Sequence, residues 1–405
     1  MNKDKEAGRT DWLEGVKDSI DTPAYVFDLD ELKNRLQMIR RCLGNRIRLC
    51  YAMKANPFLV APLQNLIDKY EVCSPGEFRI CERHRIPMEQ IVLSGVYKEE
   101  REICHAVEMY AGKGTFTIES KQQLELLEKC AAAAGKNIRA LIRVSSGNQF
   151  GMDEESIAKV LEYRWEYPHV NISGFQYYSG TQKKKLKKME RELEYLDQMM
   201  EEMEMRYGYQ AEELEYGPGF YVPYFQSDEE VNDEALLGTF SKMLDRLRFQ
   251  GTITLEVGRY LAAYCGYYLT RIVDQKINRG ERYGIVDGGI HHLSYFGQMM
   301  AMKIPHFMHL APKEEEEKEL WNICGSLCTV NDVLVKNLPL PNAEIGDVLV
   351  FERVGAYSVT EGIYLFLSRD LPQIFFYSRE CGMQLMRDRK RTDEWNQEEE
   401  LWNNY

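Results

Sequence analysis

The sequence is short of several signals, and each shortage excludes something. Its ten cysteines include no C-x-x-C pair. The first ten residues, MNKDKEAGRT, hold no apolar stretch, so no signal peptide is expected and the chain is expected in the cytoplasm. In that compartment the cysteines read as reduced thiols, not as a disulfide framework. No apolar run approaches the roughly 18 residues of a membrane span, so no membrane partner is expected. Basic charge is also scarce: 51 Lys and Arg face 64 Asp and Glu, for a net charge of −13. A nucleic-acid binder needs a basic face, so nucleic acid is not expected as a partner. The seven histidines form no H-E-x-x-H, and His291 and His292, being adjacent, are expected to point in different directions. No metal site is expected.

What is present is ordinary for a globular protein, with 44% hydrophobic and 28% charged residues. A chain of 405 residues is too long for one ordinary core. Two domains are expected, one of them large enough for a barrel of roughly 250 residues.

Eight short apolar runs mark the first two thirds: 47–54, 70–74, 91–95, 115–120, 138–145, 170–178, 213–219 and 253–258. Helical patterns separate them. Leu32, Leu36, Ile39 and Leu43 line one helix face that stops at Gly44. The segment KQQLELLEKCAAAAGK is rich in helix formers and closes on Gly135. Eight alternations predict a (β/α)8 barrel over residues 26–262, with a doubly wound open sheet as the alternative. After residue 262 the strands come without helices between them, which predicts a mostly antiparallel β domain over 263–405. Residues 1–25 are expected to join it with a strand. PKEEEEKEL (312–320) reads as a solvated loop, and 391–405 as a polar tail or terminal helix.

In a barrel, chemistry sits at the C-terminal ends of the strands. The run CYAMKANP ends there in Lys54. A lysine at a strand end either snorkels to water or is held in a cleft to form a Schiff base. EYGPGF brings Gly217 and Gly219 to another strand end, as a tight turn or an anion cradle. LEVGRY places Glu256 beside Gly258 and Arg259, as a surface salt bridge or as partners of a ring nitrogen and a phosphate. GSLCTVND carries Cys328, a small core residue or a reactive thiol. VGAYS presents Tyr357, a buried tyrosine or a phosphate contact.

Taken together and in this order, YAMKANP, EVCSPGE, SGT, GPGF, EVGRY, VDGG, GSLC…ND and GAY resemble the pyridoxal-phosphate-dependent decarboxylases of the alanine-racemase fold. That family includes the diaminopimelate and ornithine decarboxylases, and the resemblance runs from about Thr22 to Pro372. It implies that Lys54 holds pyridoxal 5′-phosphate as a Schiff base. Tyr178 stands where the family has a histidine stacked on the coenzyme ring. Thr181, Gly217, Gly219, Gly258, Arg259 and Tyr357 match phosphate-binding positions, with Pro218 replacing a glycine of the loop. Glu256 matches the ring-nitrogen carboxylate, and Glu71 replaces an aspartate in a supporting position. The residue implied to protonate Cα is Cys328, or Lys54 once released, and Cys328 and Asp332 match residues that reach into a partner's site, which implies a homodimer with shared active sites.

The resemblance implies an amino-acid decarboxylase, a carboxy-lyase that releases CO2 and an amine. A racemase of the same fold is the alternative; such enzymes place an arginine at the ring nitrogen, where this chain has Glu256. Thr329 follows the cysteine where enzymes for free diamino acids carry Asp or Glu. No arginine occurs in 291–307, where diaminopimelate enzymes grip a distal carboxylate. Asp287 remains as a candidate amine contact. The substrate is therefore expected to be modified or tethered, as on an acyl-carrier protein or a siderophore-type intermediate. Free lysine, ornithine or diaminopimelate is the alternative. The run KKKLKK (183–188) is either a solvated helix face or a dock for an acidic carrier protein.

Overall fold

The computed structural model describes residues 12–15, 17, 19–110, 112–310 and 318–398. The chain divides into two compact units, Arg35–Val222 with Val231–Leu261, and Met1–Asn34 with Pro223–Glu230 and Ala262–Tyr405.

The first unit is a closed barrel of eight parallel strands. With β1 (Ala24–Asp28) belonging to the second unit, the barrel strands are β2 (Ile47–Ala52), β3 (Lys69–Val72), β4 (Ile91–Leu93), β5 (Thr115–Ile118), β6 (Ile138–Val144), β7 (Val170–Tyr178), β8 (Glu213–Gly217) and β9 (Thr252–Val257). They fall on the eight apolar runs, because strands covered on both faces need near-continuous apolar sequence. The helices are α1 (Leu29–Leu43), α2 (Pro75–Arg83), α3 (Glu100–Met109), α4 (Lys121–Ala134), α5 (Glu154–Glu162), α6 (Leu186–Tyr207), α7 (Asp233–Leu244) and the single turn α8 (Arg259–Ala262).

Short polar residues start several of these helices. Ser74 accepts from the Glu77 amide, and Glu77 accepts in return from the Cys73 amide. Ser120 and Gln123 repeat this reciprocal arrangement, with Gln123 taking the Glu119 amide. Both are variants of the capping box, and both start a helix directly after a strand end. Gly135 and Gly208 end α4 and α6 at φ +61° and +56°, where only glycine turns without strain.

Among its described residues, the second unit is a nine-stranded sheet. Its continuous path runs β14 (Val333–Pro341), β13 (Lys318–Cys324), β11 (Glu281–Val286), β10 (Gly266–Asn278), β1, β16 (Gln373–Ser378), β17 (Gly382–Arg387). β15 (Val348–Glu352) pairs with both β10 and β12 (Phe307–Leu310). Among the described residues of this unit, the β1–β16 and β11–β13 pairs are parallel and the other strand pairs antiparallel. Leu13, Ile20, Val26, Leu269, Val348 and Val350 form its apolar core.

Several expectations change. The boundary expected at residue 26 falls inside β1, whose hydrogen bonds go to β10 and β16. Pro223–Glu230, expected within the barrel, also groups with the sheet unit. Lys318–Leu320, expected in a loop, opens β13 and pairs with Pro341–Pro339, while 312–317 lie outside the described residues. Of the expected tail, Asp393–Trp395 is one 3₁₀ turn and 399–405 lie outside the described residues. Finally, Cys104 on α3 and Cys130 on α4 form a disulfide, with their Cα atoms 4.9 Å apart. These adjacent helices bring together two cysteines 26 residues apart, a pairing that spacing alone did not signal. No helix among the described residues is long and apolar enough to cross a membrane.

Candidate active site

Barrel closure places β2 between β3 and β9. In register, Ala52 lies opposite Glu71 on β3, and Cys50 opposite Glu256 on β9. Immediately beyond β2 the chain makes a 3₁₀ turn, Met53–Ala55. Lys54 in that turn therefore sits between two carboxylates. Its Nζ donates to Glu71 Oε2 at 2.6 Å and Glu256 Oε1 at 3.4 Å, and lies 3.8 Å from Cys73 Sγ. The lysine side chain is 38% exposed, against 2% for Glu71 and 7% for Glu256. The amine faces the open end while its partners are buried.

The two carboxyls divide one proton between them. Burial, and then the negative charge of Glu71, push Glu256 up to about 8. Burial would raise Glu71 as well, but the Lys54 charge and a hydrogen bond with Glu256 outweigh it and hold Glu71 low. Near neutral pH Glu256 holds a proton and Glu71 carries the charge that faces Lys54.

A second cluster forms around the ends of β7 and β8. The Tyr178 ring packs against Gly217, where a Cβ would lie 2.5 Å from Tyr178 Cδ2. Burial raises the Tyr178 hydroxyl, with the Glu256 charge acting in the same direction. Gly219 takes φ +60° and packs on the next turn, where a Cβ would lie 2.1 Å from the Gly180 carbonyl oxygen. Only glycine fits there. Arg259 Nε donates to Thr181 Oγ1 at 3.2 Å. Gly258 lies against Ala52 and Ala55, on either side of Lys54. Lys54, Glu71, Tyr178, Thr181, Gly217, Gly219, Glu256, Gly258 and Arg259 all belong to this one unit.

The remaining expected residues lie in the sheet unit. Cys328 is exposed on the loop between β13 and β14. Thr329 uses its hydroxyl to accept the Asn331 amide at 3.4 Å. Tyr357 takes φ +71°, a left-handed conformation that a tyrosine adopts only under constraint. Two of the expected residues carry internal hydrogen bonds. Asp287, the candidate amine contact, accepts from the Thr22 and Thr270 hydroxyls and the Arg271 amide at 2.6, 2.7 and 3.0 Å. Asp332 is buried and accepts the Ile290 and Leu327 amides at 2.8 and 2.7 Å. It braces the turn that carries Cys328.

Residues 29–263 match the pyridoxal-dependent decarboxylases over their pyridoxal binding domain. The chain belongs to that family. This decarboxylase is 28% identical to the L-glutamyl-[BtrI acyl-carrier protein] decarboxylase of Niallia circulans, over 92% of each chain. It is 27% identical to the diaminopimelate decarboxylase of Aquifex aeolicus, over 85% of this chain and 84% of that one. Its fold matches a diaminopimelate decarboxylase structure from M. jannaschii with TM-score 0.82 and 24% identity, covering 94% of this chain and 92% of the other. The barrel with its mostly antiparallel sheet is the alanine-racemase fold, and the cofactor is pyridoxal phosphate.

The residues of this decarboxylase fit that group on their own chemistry. A buried carboxyl that still holds its proton near pH 7 can share it with a ring nitrogen. An accessible amine lies beside it. Close-packed glycine backbone, a hydroxyl and a guanidinium make a cradle for a phosphate.

Several polar groups at the barrel mouth of the decarboxylase had escaped the sequence reading. Lys98 is buried, donates to the Gly95 carbonyl at 3.0 Å, and is pulled down by burial to about 8. Arg143 pairs with Glu119 at 3.2 Å and lies over the Phe150 ring. Inside the barrel Gln176 donates to Glu215 at 2.8 Å, and burial raises Glu215 to about 7. The available signal was a charged or amide side chain inside an apolar strand, as in IRALIRV and ELEYG.

Proposed function

We propose that this decarboxylase acts on an amino acid whose distal end is conjugated, carried by an acyl-carrier protein. One observation carries the reading. Thr329, not an acid, follows Cys328, so that position offers no charge to a free distal ammonium. Asp287 and Asp332 already accept hydrogen bonds from the sheet unit's own hydroxyls and amides. The relative that acts on a glutamyl group tethered to a carrier protein is similar along nearly the whole chain.

Lys54 provides the amine that carries the coenzyme. Thr181, Gly219, Gly258 and Arg259 bind its phosphate, and Tyr357 adds a hydroxyl. Tyr178 presents its ring face to the pyridine. Glu256 holds a proton at its carboxyl oxygen and shares it with the ring nitrogen, where a positive charge is needed. Glu71 balances the Lys54 ammonium and keeps it oriented. Pyridoxal phosphate supplies the electron sink that accepts charge from the substrate Cα as CO2 leaves. Cys328 then delivers a proton to Cα. In this reading the enzyme is a homodimer, and the exposed loop of Cys328 and the 94% exposed Val330 reaches the partner's site.

The test is CO2 release from carrier-loaded glutamate or lysine, measured beside free lysine, ornithine and diaminopimelate. Turnover is expected with a carrier-bound substrate. Rapid turnover of a free diamino acid and none of the carrier-bound forms would sink the proposal.

The lysine run divides into two roles. Lys183 is buried in an ion pair, while Lys184, Lys185, Lys187 and Lys188 are exposed. Their charges gather at the start of α6, whose first turn contains no acid, although Lys188 reaches Glu192 one turn on at 4.0 Å. This is the wrong sign for the helix dipole, and an acidic partner would relieve it. Replacing Lys185 and Lys187 by glutamate, and leaving Lys188, which pairs with Glu192 at 4.0 Å, is expected to raise KM for carrier-bound substrate about tenfold at low salt, with the difference shrinking at high salt. An unchanged KM would assign these lysines to plain solvation.

A further inference from the structure

Beneath the phosphate cradle lies a buried carboxylate with no part in the chemistry described above. Glu192 projects from the second turn of α6 and is buried. Three groups donate to it. Ser179 Oγ reaches Oε1 at 2.5 Å, while Lys183 Nζ and Tyr216 Oη reach Oε2 at 2.7 and 2.6 Å. The lysine side chain is only 3% exposed, so this is an interior ion pair.

The positions of the donors are informative. Ser179 and Lys183 stand two residues before and two after Thr181, so they bracket one wall of the cradle. Tyr216 immediately precedes Gly217, so it anchors the other wall. The two walls also meet through backbone: the Lys183 amide donates to the Gly219 carbonyl at 2.9 Å, and Lys183 and Phe220 form an isolated bridge. Thr181 receives the Arg259 guanidinium on its far side. A single carboxylate thus gathers three ends of two separate turns.

An interior ion pair is a weak device for raw stability. Desolvating two charges offsets most of their attraction, and hydrophobic replacements often serve as well. Its strength is geometric, because charge-assisted bonds are short and directional. Both oxygens take their hydrogen bonds from the flanks of the cradle, while Lys188 on the same helix stays 4.0 Å from Oε1.

We propose that Glu192 is the positioning residue of the phosphate cradle, holding the Thr181 turn and the Gly217–Gly219 turn at the separation a phosphate monoester requires. This rests on the reading that those turns bind the phosphate of the coenzyme. Glu192 touches neither coenzyme nor substrate; it acts through Ser179, Lys183 and Tyr216.

The experiment is to titrate the coenzyme-depleted full-length chain with pyridoxal phosphate and, separately, with pyridoxal, which lacks the phosphate. Binding is followed by the visible absorbance of the ligand, and the bound phosphate by its phosphorus NMR resonance. In Glu192→Gln the amide turns a donor toward groups that are themselves donors. Affinity for pyridoxal phosphate is expected to fall about tenfold, the scale of a lost charge-assisted contact. Affinity for pyridoxal is expected to hold within about twofold, since the Lys54 and Glu256 end is untouched. The phosphorus resonance of the variant is expected to move. Ser179→Ala removes one donor without stranding a charge. It is expected to give a smaller but equally selective loss, and it decides the matter if Glu192→Gln does not fold.

Equal weakening of both ligands would make Glu192 a general structural group and overturn the proposal, as would no weakening of either. If the wild-type chain itself binds pyridoxal as tightly as pyridoxal phosphate, the phosphate assignment of the turns fails first. That result is read from the wild type alone and is therefore distinguishable from a failure of Glu192.

Discussion

Lys54→Ala is expected to lower the rate of CO2 release by at least about 10³-fold, because on the proposed reading it removes the amine that attaches the coenzyme. The geometry is specific about why nothing else substitutes. Lys54 is the amine that lies within 3.4 Å of both Glu71 and Glu256. Lys98, the other lysine described at the mouth, spends its ammonium on the Gly95 carbonyl and the Thr117 hydroxyl. Borohydride treatment followed by peptide mass analysis is the companion measurement. The wild type should carry a coenzyme adduct at Lys54, and Lys54→Ala should carry none anywhere. Lys54→Arg keeps the positive charge between the carboxylates and should be as inactive as the alanine variant. If either variant retained most of the wild-type rate, the amine would not be the attachment point.

Glu256→Gln is expected to cost about 10²-fold or more in rate, the scale of removing one electrostatic partner from a water-poor site. The amide can still hydrogen-bond the ring nitrogen, but it cannot favour the protonated ring as a carboxylate does. The same variant has a second readout in the coenzyme-free chain. Glu256 is raised from roughly 4.3 in an unfolded chain to about 8 in the fold. Between those values the folded state holds the extra proton. The stability this contributes is complete below the unfolded value and is lost as pH rises towards about 8. Urea midpoints of the coenzyme-free wild type should therefore fall from pH 5 to pH 8, and those of Glu256→Gln should fall less. Parallel pH profiles for the two proteins would mean that Glu256 is not held protonated.

The contrast between these two carboxylates shows where sequence reasoning reached and where it stopped. The motif LEVGRY was enough to nominate Glu256, and the lysine motif was enough to nominate Lys54. The same reading put Asp287 and Asp332 forward as further candidates, and in the fold both accept hydrogen bonds from distant parts of their own unit. An acid at a turn looks alike in sequence whether it faces a ligand or a ring of amides. The difference lies in which distant groups fold against it. Asp287 meets Thr22, 265 residues away. Lys183 illustrates the same limit: within KKKLKK it was one of several like charges, until Glu192 buried it.

By itself, the sequence determined the order of the elements in the barrel unit and many of their caps. Near-continuous apolar runs read as strands covered on both faces, helix caps are local, and glycine at positive φ has few substitutes. Eight such runs in alternation with helices favour a barrel over an open sheet, and a barrel presents residues such as Lys54 at one rim. Tertiary structure alone decided who meets whom. Closure of β9 on β2 sets Glu256 beside a lysine 202 residues earlier, and packing of α6 against the cradle gives Glu192 its three donors. Those contacts are long-range, and the charge state of each buried acid follows from its neighbours in space and its loss of water, neither of which a local pattern encodes.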